Sequence, residues 1–187
     1  MANSNVVLLV EGESDRAALE TLAKRRDRDL KAEGVAIVAM GGSSPVGDFL
    51  ERLSGTDVRL AGLCDQGEVG DFQRGLERVG FGVRLSIPEM ESLGFFVCDV
   101  DLEDELIRSL GPDSVQAVIE REGEIRSFRS LQNQPAWRGR PVEDQLRRFF
   151  GSQSGRKLRY GRLLVGSLDL SQVPRPLDCV LAWTNRR

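Results

Sequence analysis

Up to about residue 110 the chain alternates short apolar runs with segments of helical period. Asn5–Val10 is a Val- and Leu-rich run without a polar break, which predicts a parallel strand covered on both faces. Ser14 or Asp15 can cap the helix that follows, with Ala17, Ala18, Leu19, Leu22 and Ala23 as its apolar stripe. The highly charged stretch Lys24–Glu33 predicts an exposed continuation of that helix, broken at Gly34. Further strands are predicted at Val35–Met40, Val58–Cys64 and Gly82–Ile87, the last closed by Pro88. A Gly-Gly-Ser-Ser-Pro loop at 41–45 leads into a short helix through Val46, Phe49, Leu50 and Leu53. Phe72, Leu76 and Val79 mark another helix within 69–79. Phe95–Val100 reads as a further short strand or as the approach to a helix over Leu102–Leu110. Strands separated by helices indicate βαβ units and a mostly parallel sheet.

From Pro112 the pattern changes. Helical spacing covers 113–123, 141–150 and 157–168, strand signals are weak, and Gln132–Pro141 is rich in turn residues. The expectation is a three-layer α/β body over residues 1–111, with a helical C-terminal extension over 112–187 packed on it.

Composition narrows the chemistry. With 187 residues, 40% hydrophobic and 29% charged, the chain suits one globular domain with a small appendage. No apolar run approaches the length of a bilayer span, and the first residues lack the basic stretch and apolar core of a secretion signal. A cytoplasmic protein with no membrane partner is expected. Cys64, Cys98 and Cys179 are widely spaced and predict buried small side chains, not a disulfide framework or a zinc site. The absence of histidine excludes mechanisms that need an imidazole, including the serine and cysteine triads. Carboxylates, Lys, Arg, Ser or a bound metal must carry any reaction.

Charge is unevenly placed. Residues 1–120 hold 12 Lys+Arg against 23 Asp+Glu, and residues 121–187 hold 14 against 6. An acidic body followed by a basic segment suits a metal site beside a surface for a polyanion; it equally suits two faces that neutralise one another.

Ligands of parallel sheets bind beyond the carboxyl ends of the strands, and here acids follow those ends. Glu11 comes directly after the first strand, in Val10-Glu11-Gly12-Glu13-Ser14-Asp15, and Asp15 can point back to the same place from the first helical turn. Asp65 ends the third strand, in Cys64-Asp65-Gln66-Gly67-Glu68. A third cluster, Asp99, Asp101, Glu103, Asp104 and Glu105, opens the helix at 102–110, with Leu102 and Leu106 facing the core and the acids around its rim. Hard carboxylate oxygens of this kind suit Mg²⁺, with Mn²⁺ as a substitute. Each acid also has an ordinary alternative. Asp65 and Asp15 suit helix capping, and the 101–105 run suits a solvated helix start.

The Val-Glu-Gly-Glu-Ser-Asp core within Val7–Leu22 resembles the first motif of TOPRIM domains, and Asp65 resembles the first acid of their D-x-D motif. Leu102-Glu103-Asp104-Glu105-Leu106 resembles the acidic helix of the overcoming-lysogenization-defect (OLD) nucleases. The resemblance implies a stand-alone TOPRIM domain: a Rossmann-like three-layer α/β fold with a mostly parallel central sheet, followed by a helical C-terminal segment. It implies Mg²⁺-dependent phosphodiester chemistry on nucleic acid, as a two-metal nuclease. Glu11 and Asp65 would hold one ion, and Asp15, Glu68, Asp99, Asp101 and Glu103 would serve a second. Lys157, the only lysine after Lys31, would steady charge at the cut phosphate. It has its own ordinary alternative, an exposed helix face. Arg126, Arg129, Arg147, Arg148, Arg156 and Arg159 would hold the backbone of DNA or RNA. Two departures stand out. Gly67 replaces the second Asp of D-x-D, leaving Glu68 as its substitute, and no Walker-type motif is present, so the domain would work without an ATPase motor or borrow one from a partner. A decayed module that binds nucleic acid or a partner protein, and a primase-like nucleotidyl transferase, are the alternatives.

Overall fold

The computed structural model describes residues 5–185. Four parallel strands, β1 (Val6–Val10), β2 (Val35–Ala39), β3 (Arg59–Cys64) and β4 (Phe95–Val97), form one sheet in the order β2-β1-β3-β4. β1 is central and pairs on both sides, with Val10 opposite Ala39 and Leu63. Its residues alternate between two cores. Leu8 and Val10 face one, Val7 and Leu9 the other. That is why the run has no polar position, for each side of a doubly covered strand is buried.

The layer over Val7 and Leu9 consists of α2 (Val46–Leu53), α3 (Val69–Arg78) and α4 (Ile87–Ser92), contributing Leu50, Phe72, Leu76 and Met90. The opposite layer starts with α1 (Glu13–Arg25) and α5 (Leu102–Leu110). It continues with α6 (Pro112–Arg121), α7 (Ile125–Gln132), α8 (Val142–Phe150), α9 (Arg156–Ser167) and α10 (Arg175–Thr184). Their apolar faces join one cluster with α1 and the sheet, centred on the rings of Phe128, Phe149, Phe150 and Tyr160, packed mostly edge to face. The fold is therefore a three-layer α/β domain, as expected from the alternation of runs and stripes. No helix among the described residues is long and apolar enough to cross a membrane.

Two expectations are corrected. The first helix stops at Arg25 and does not run on through the charged stretch. Arg28 there bonds the Leu181 carbonyl (2.8 Å) and the Thr184 hydroxyl (2.8 Å), drawing the segment into turns against α10. Gly82–Ile87 is not a strand. Arg84 is left-handed (φ 51°), and the Ser86 and Glu89 side chains form a capping box that starts α4. The fourth strand is Phe95–Val97 instead. The turn-rich reading of 132–141 agrees with the turns found there, and α7 and α10 are additional helices.

Gly62 in β3 marks the tightest point of the sheet. A Cβ there would lie 2.6 Å from Phe95 and 3.0 Å from Phe72, two rings packed edge to face. Gly62→Val is expected to cost about 1–3 kcal/mol in a urea titration, as overpacked cores do. Gly166→Ala, on an open helical face, should be neutral or stabilising. Equal midpoints for Gly62→Val and wild type would mean that the rings are loosely packed.

Candidate metal centre

Because all four strands are parallel, their carboxyl ends lie at one end of the sheet. Glu11 leaves β1 there, and its carbonyl accepts the N–H groups of Gly41 (2.9 Å) and Gly42 (3.1 Å) from the loop after β2. Asp65 leaves β3 and begins the 3₁₀ turn Gln66–Glu68. The Cys98 N–H bonds the Cys64 carbonyl (2.9 Å), so this strand end is tied to its neighbour as well. Each of Glu11, Asp65 and Glu68 offers a carboxylate oxygen that lies within 4.8 Å of the others. All three are partly exposed. One Glu68 oxygen, Oε2, is buried without a hydrogen-bond partner.

Charge crowding shows in the proton affinities. Burial, then the charges of Asp15, Asp101, Glu11 and Glu103, pushes the Asp65 carboxyl up to about 7. Burial, then a hydrogen bond to Glu11 and its charge, pushes Glu68 up to about 8. Asp15 sits behind them in the first turn of α1. Burial raises its carboxyl to about 6 against the pull of the Gly12 N–H, which donates to Oδ2 at 2.8 Å. These acids have no ion-pair partner among the described residues. A cluster of hard oxygens, one of them orphaned, fits a divalent cation with oxygen preference.

The third acidic cluster divides. Glu103 is buried (7% exposed) and bonded to the Lys157 ammonium at 3.0 Å. Asp101 caps α5 by accepting the Asp104 N–H (2.8 Å), and its Oδ2 also takes the Arg147 guanidinium at 2.5 Å. Both acids are close enough to act on Asp65 electrostatically. Asp99 stands apart, exposed and paired with Arg108 at 3.1 Å. Glu105 is turned inward to accept the Asp99 N–H (2.8 Å). The expectation that Glu103 and Glu105 lie on the rim is thus corrected. α9 and α8 pack over α5 and bury them, each with a compensating partner.

Lys157 reaches this place because α9 packs closely on α1. Gly161, one turn further on, comes so near that a Cβ would stand 3.3 Å from the Ser14 carbonyl. Burial alone would lower the Lys157 ammonium. The charge of Glu103 and the hydrogen bond to it, helped by Asp101 and Asp65, outweigh this and raise it. The partners Asp101–Arg147 and Glu103–Lys157 are 46 and 54 residues apart and carry no local signature in the sequence. Arg156, expected to face a phosphate backbone, is buried instead, bonded to Glu124 (2.9 Å) and stacked on Phe149. Arg159 also pairs with Glu124.

Residues 4–66 match the family model for the overcoming lysogenization defect protein-like TOPRIM domain. The chain is also similar to the C-terminal region of the Xanthomonas campestris pv. campestris OLD protein. The identity is 22% and the TM-score 0.75, over 98% of this chain and 96% of that one. For the C-terminal region of the Burkholderia pseudomallei OLD protein the values are 19% and 0.69, over 97% of each chain. A comparison with curated proteins finds no match. The family match is thus confined to residues 4–66, and the likeness of fold to the OLD C-terminal regions extends over nearly the whole chain.

The raised acids make a test. In the folded chain Asp15, Asp65 and Glu68 keep protons that the unfolded chain has lost above the ordinary carboxylate range. The folded state therefore binds more protons up to about pH 8, and stability falls as pH rises through that window. In EDTA the melting temperature should drop between about pH 5 and pH 8. Glu68→Gln should flatten the drop and raise the value at pH 8 by about 2–4 °C, the shift that ~1 kcal/mol produces at this size. A profile independent of pH would show that the acids are not held together.

Proposed function

We propose that the chain performs divalent-metal-dependent phosphodiester chemistry on nucleic acid, as a two-metal nuclease that uses Mg²⁺ and accepts Mn²⁺. The observation that carries this reading is the Glu11–Asp65–Glu68 triad, which has no ion-pair partner among the described residues and contains an orphaned oxygen. These three would hold the first ion. Asp15, Asp101 and Glu103 would serve a second, and Asp99, turned to Arg108, is the least suited of the expected ligands. When bound, the ions would activate the attacking water and stabilise the leaving oxygen. The chain itself does the positioning. The strand ends fix the carboxylates, Lys157 and Arg147 present cations beside them, and the absence of histidine leaves the acids as the proton acceptors. Lys157 would pass from Glu103 to the phosphate as substrate charge arrives. An ATPase supplied by a partner belongs to the same reading, since OLD nucleases couple the two. The decayed-module alternative rests on Gly67; the place of Glu68 beside Glu11 and Asp65 supports the active reading over it.

Mn²⁺ titration calorimetry and cleavage of labelled DNA and RNA test the proposal. Glu11→Ala and Asp65→Ala should lose Mn²⁺ binding and at least the ~100-fold in rate that weaker disturbances of metal sites cost. Asp99→Ala should keep most of the activity. Folded Glu11→Ala protein that cuts at the wild-type rate would sink the assignment.

A further inference from the structure

A cleft of about 400 Å³ adjoins the acids on the side of α8 and α9. It shares Asp101, Glu103 and Lys157 with the candidate site, so anything seated in it abuts that site. Its other wall carries Trp137, Arg140 and Arg148. Arg140 and Arg148 are exposed and, unlike Arg147 and Lys157, make no ion pair among the described residues. Four cations and three acids line the cleft, and two of those acids are already paired. The wall therefore has net positive charge before any metal binds.

Trp137 lies in the turn-rich segment between α7 and α8, yet it is firmly placed. Its carbonyl accepts the Gln145 side chain (2.9 Å), which is buried and itself held by Gln132 (2.7 Å). Its ring is partly exposed, with the Arg140 guanidinium 5.0 Å from its centroid. A fixed aromatic with a planar cation on it, beside a second unpaired arginine, is a surface on which an unpaired base stacks while its phosphate is held.

We propose that this cleft is a subsite for one unpaired nucleotide next to the cut phosphate. The base packs against Trp137 and Arg140, and the flanking phosphate meets Arg148. The inference rests on the reading of the chain as acting on nucleic acid, and it makes single strands or frayed ends the preferred substrate.

Fluorescence anisotropy of a labelled single-stranded oligonucleotide, with the full chain in EDTA, tests it. Arg140→Ala/Arg148→Ala should weaken binding at least tenfold and lower the log–log salt slope by about 1–2. Arg52→Ala/Arg84→Ala, which removes the same charge from the α2–α4 layer, should change it less than threefold. Trp137→Leu should weaken single-strand binding about tenfold and Trp137→Phe much less, while a duplex of the same sequence binds more weakly than the single strand. Because Trp137 also touches the core, melting curves accompany its variants; the exposed arginines carry no such risk. Equal losses for the two arginine pairs, or duplex binding as tight as single-strand binding, would overturn the subsite while leaving the nuclease reading in place. Failure of wild type to bind the single strand would overturn the subsite, and cleavage lost without loss of this binding would leave the subsite standing.

Discussion

Carboxylates held within 4.8 Å of one another repel, and only a frame that cannot relax keeps them together. Here the frame is the central pair of strands. β1 is paired on both sides, and Leu8, Leu9 and Val10 are fully buried. The backbone at Glu11 is pinned by two N–H groups from the loop after β2, and the end of β3 is pinned by Cys98. A loop carrying the same acids would splay and let water separate them. The apolar burial of β1 is thus spent partly on holding an electrostatically unfavourable arrangement at its end, a pattern common to sites that bind cations.

Compensation of the acids is graded across the site. The outer acids, Asp101 and Glu103, take Arg147 and Lys157. The inner ones, Glu11, Asp65 and Glu68, form no ion pair among the described residues, and Asp65 and Glu68 hold their protons more tightly instead. This resolves part of the charge asymmetry along the sequence. Much of the basic C-terminal region neutralises acids of the same molecule, with Arg156 and Arg159 on Glu124 and Arg175 on Glu91 as further cases. Only the positive charge left after those pairings, such as Arg140 and Arg148, is available to a polyanion. Counting charges along the chain overstated that surface, because pairing between distant helices is invisible to a count.

The legible parts of the fold were those where local pattern and tertiary environment agree. β1, β2, β3 and the helices between them follow from apolar runs and stripes, since a doubly covered parallel sheet imposes that alternation. Gly82–Ile87 misleads because Val83, Leu85 and Ile87 alternate like a strand, yet Val83 is 72% exposed and Arg84 is left-handed. The stronger local signal there is Ser86-Ile87-Pro88-Glu89, a capping box with proline in the first turn. Glu11 and Asp65 were legible as acids at strand ends. What their neighbours Asp101 and Glu103 do was not, since it depends on α8 and α9 folding back over α5.

The departure at Gly67 has a geometric explanation. A D-x-D pattern sets its second carboxylate two residues after the first. In this chain the strand gives way at once to a 3₁₀ turn, in which the Glu68 N–H bonds the Asp65 carbonyl at 3.0 Å. Three residues make one turn of such a helix, so side chains at i and i+3 stand one above the other. Glu68 therefore returns to the side of Asp65, and position 67 points elsewhere, with open space around any Cβ placed there. The change from i+2 to i+3 is offset by the turn, and the extra methylene of glutamate supplies reach. A position that reads along the sequence as the missing half of a D-x-D pattern is followed, in three dimensions, by a glutamate whose carboxylate lies beside those of Glu11 and Asp65.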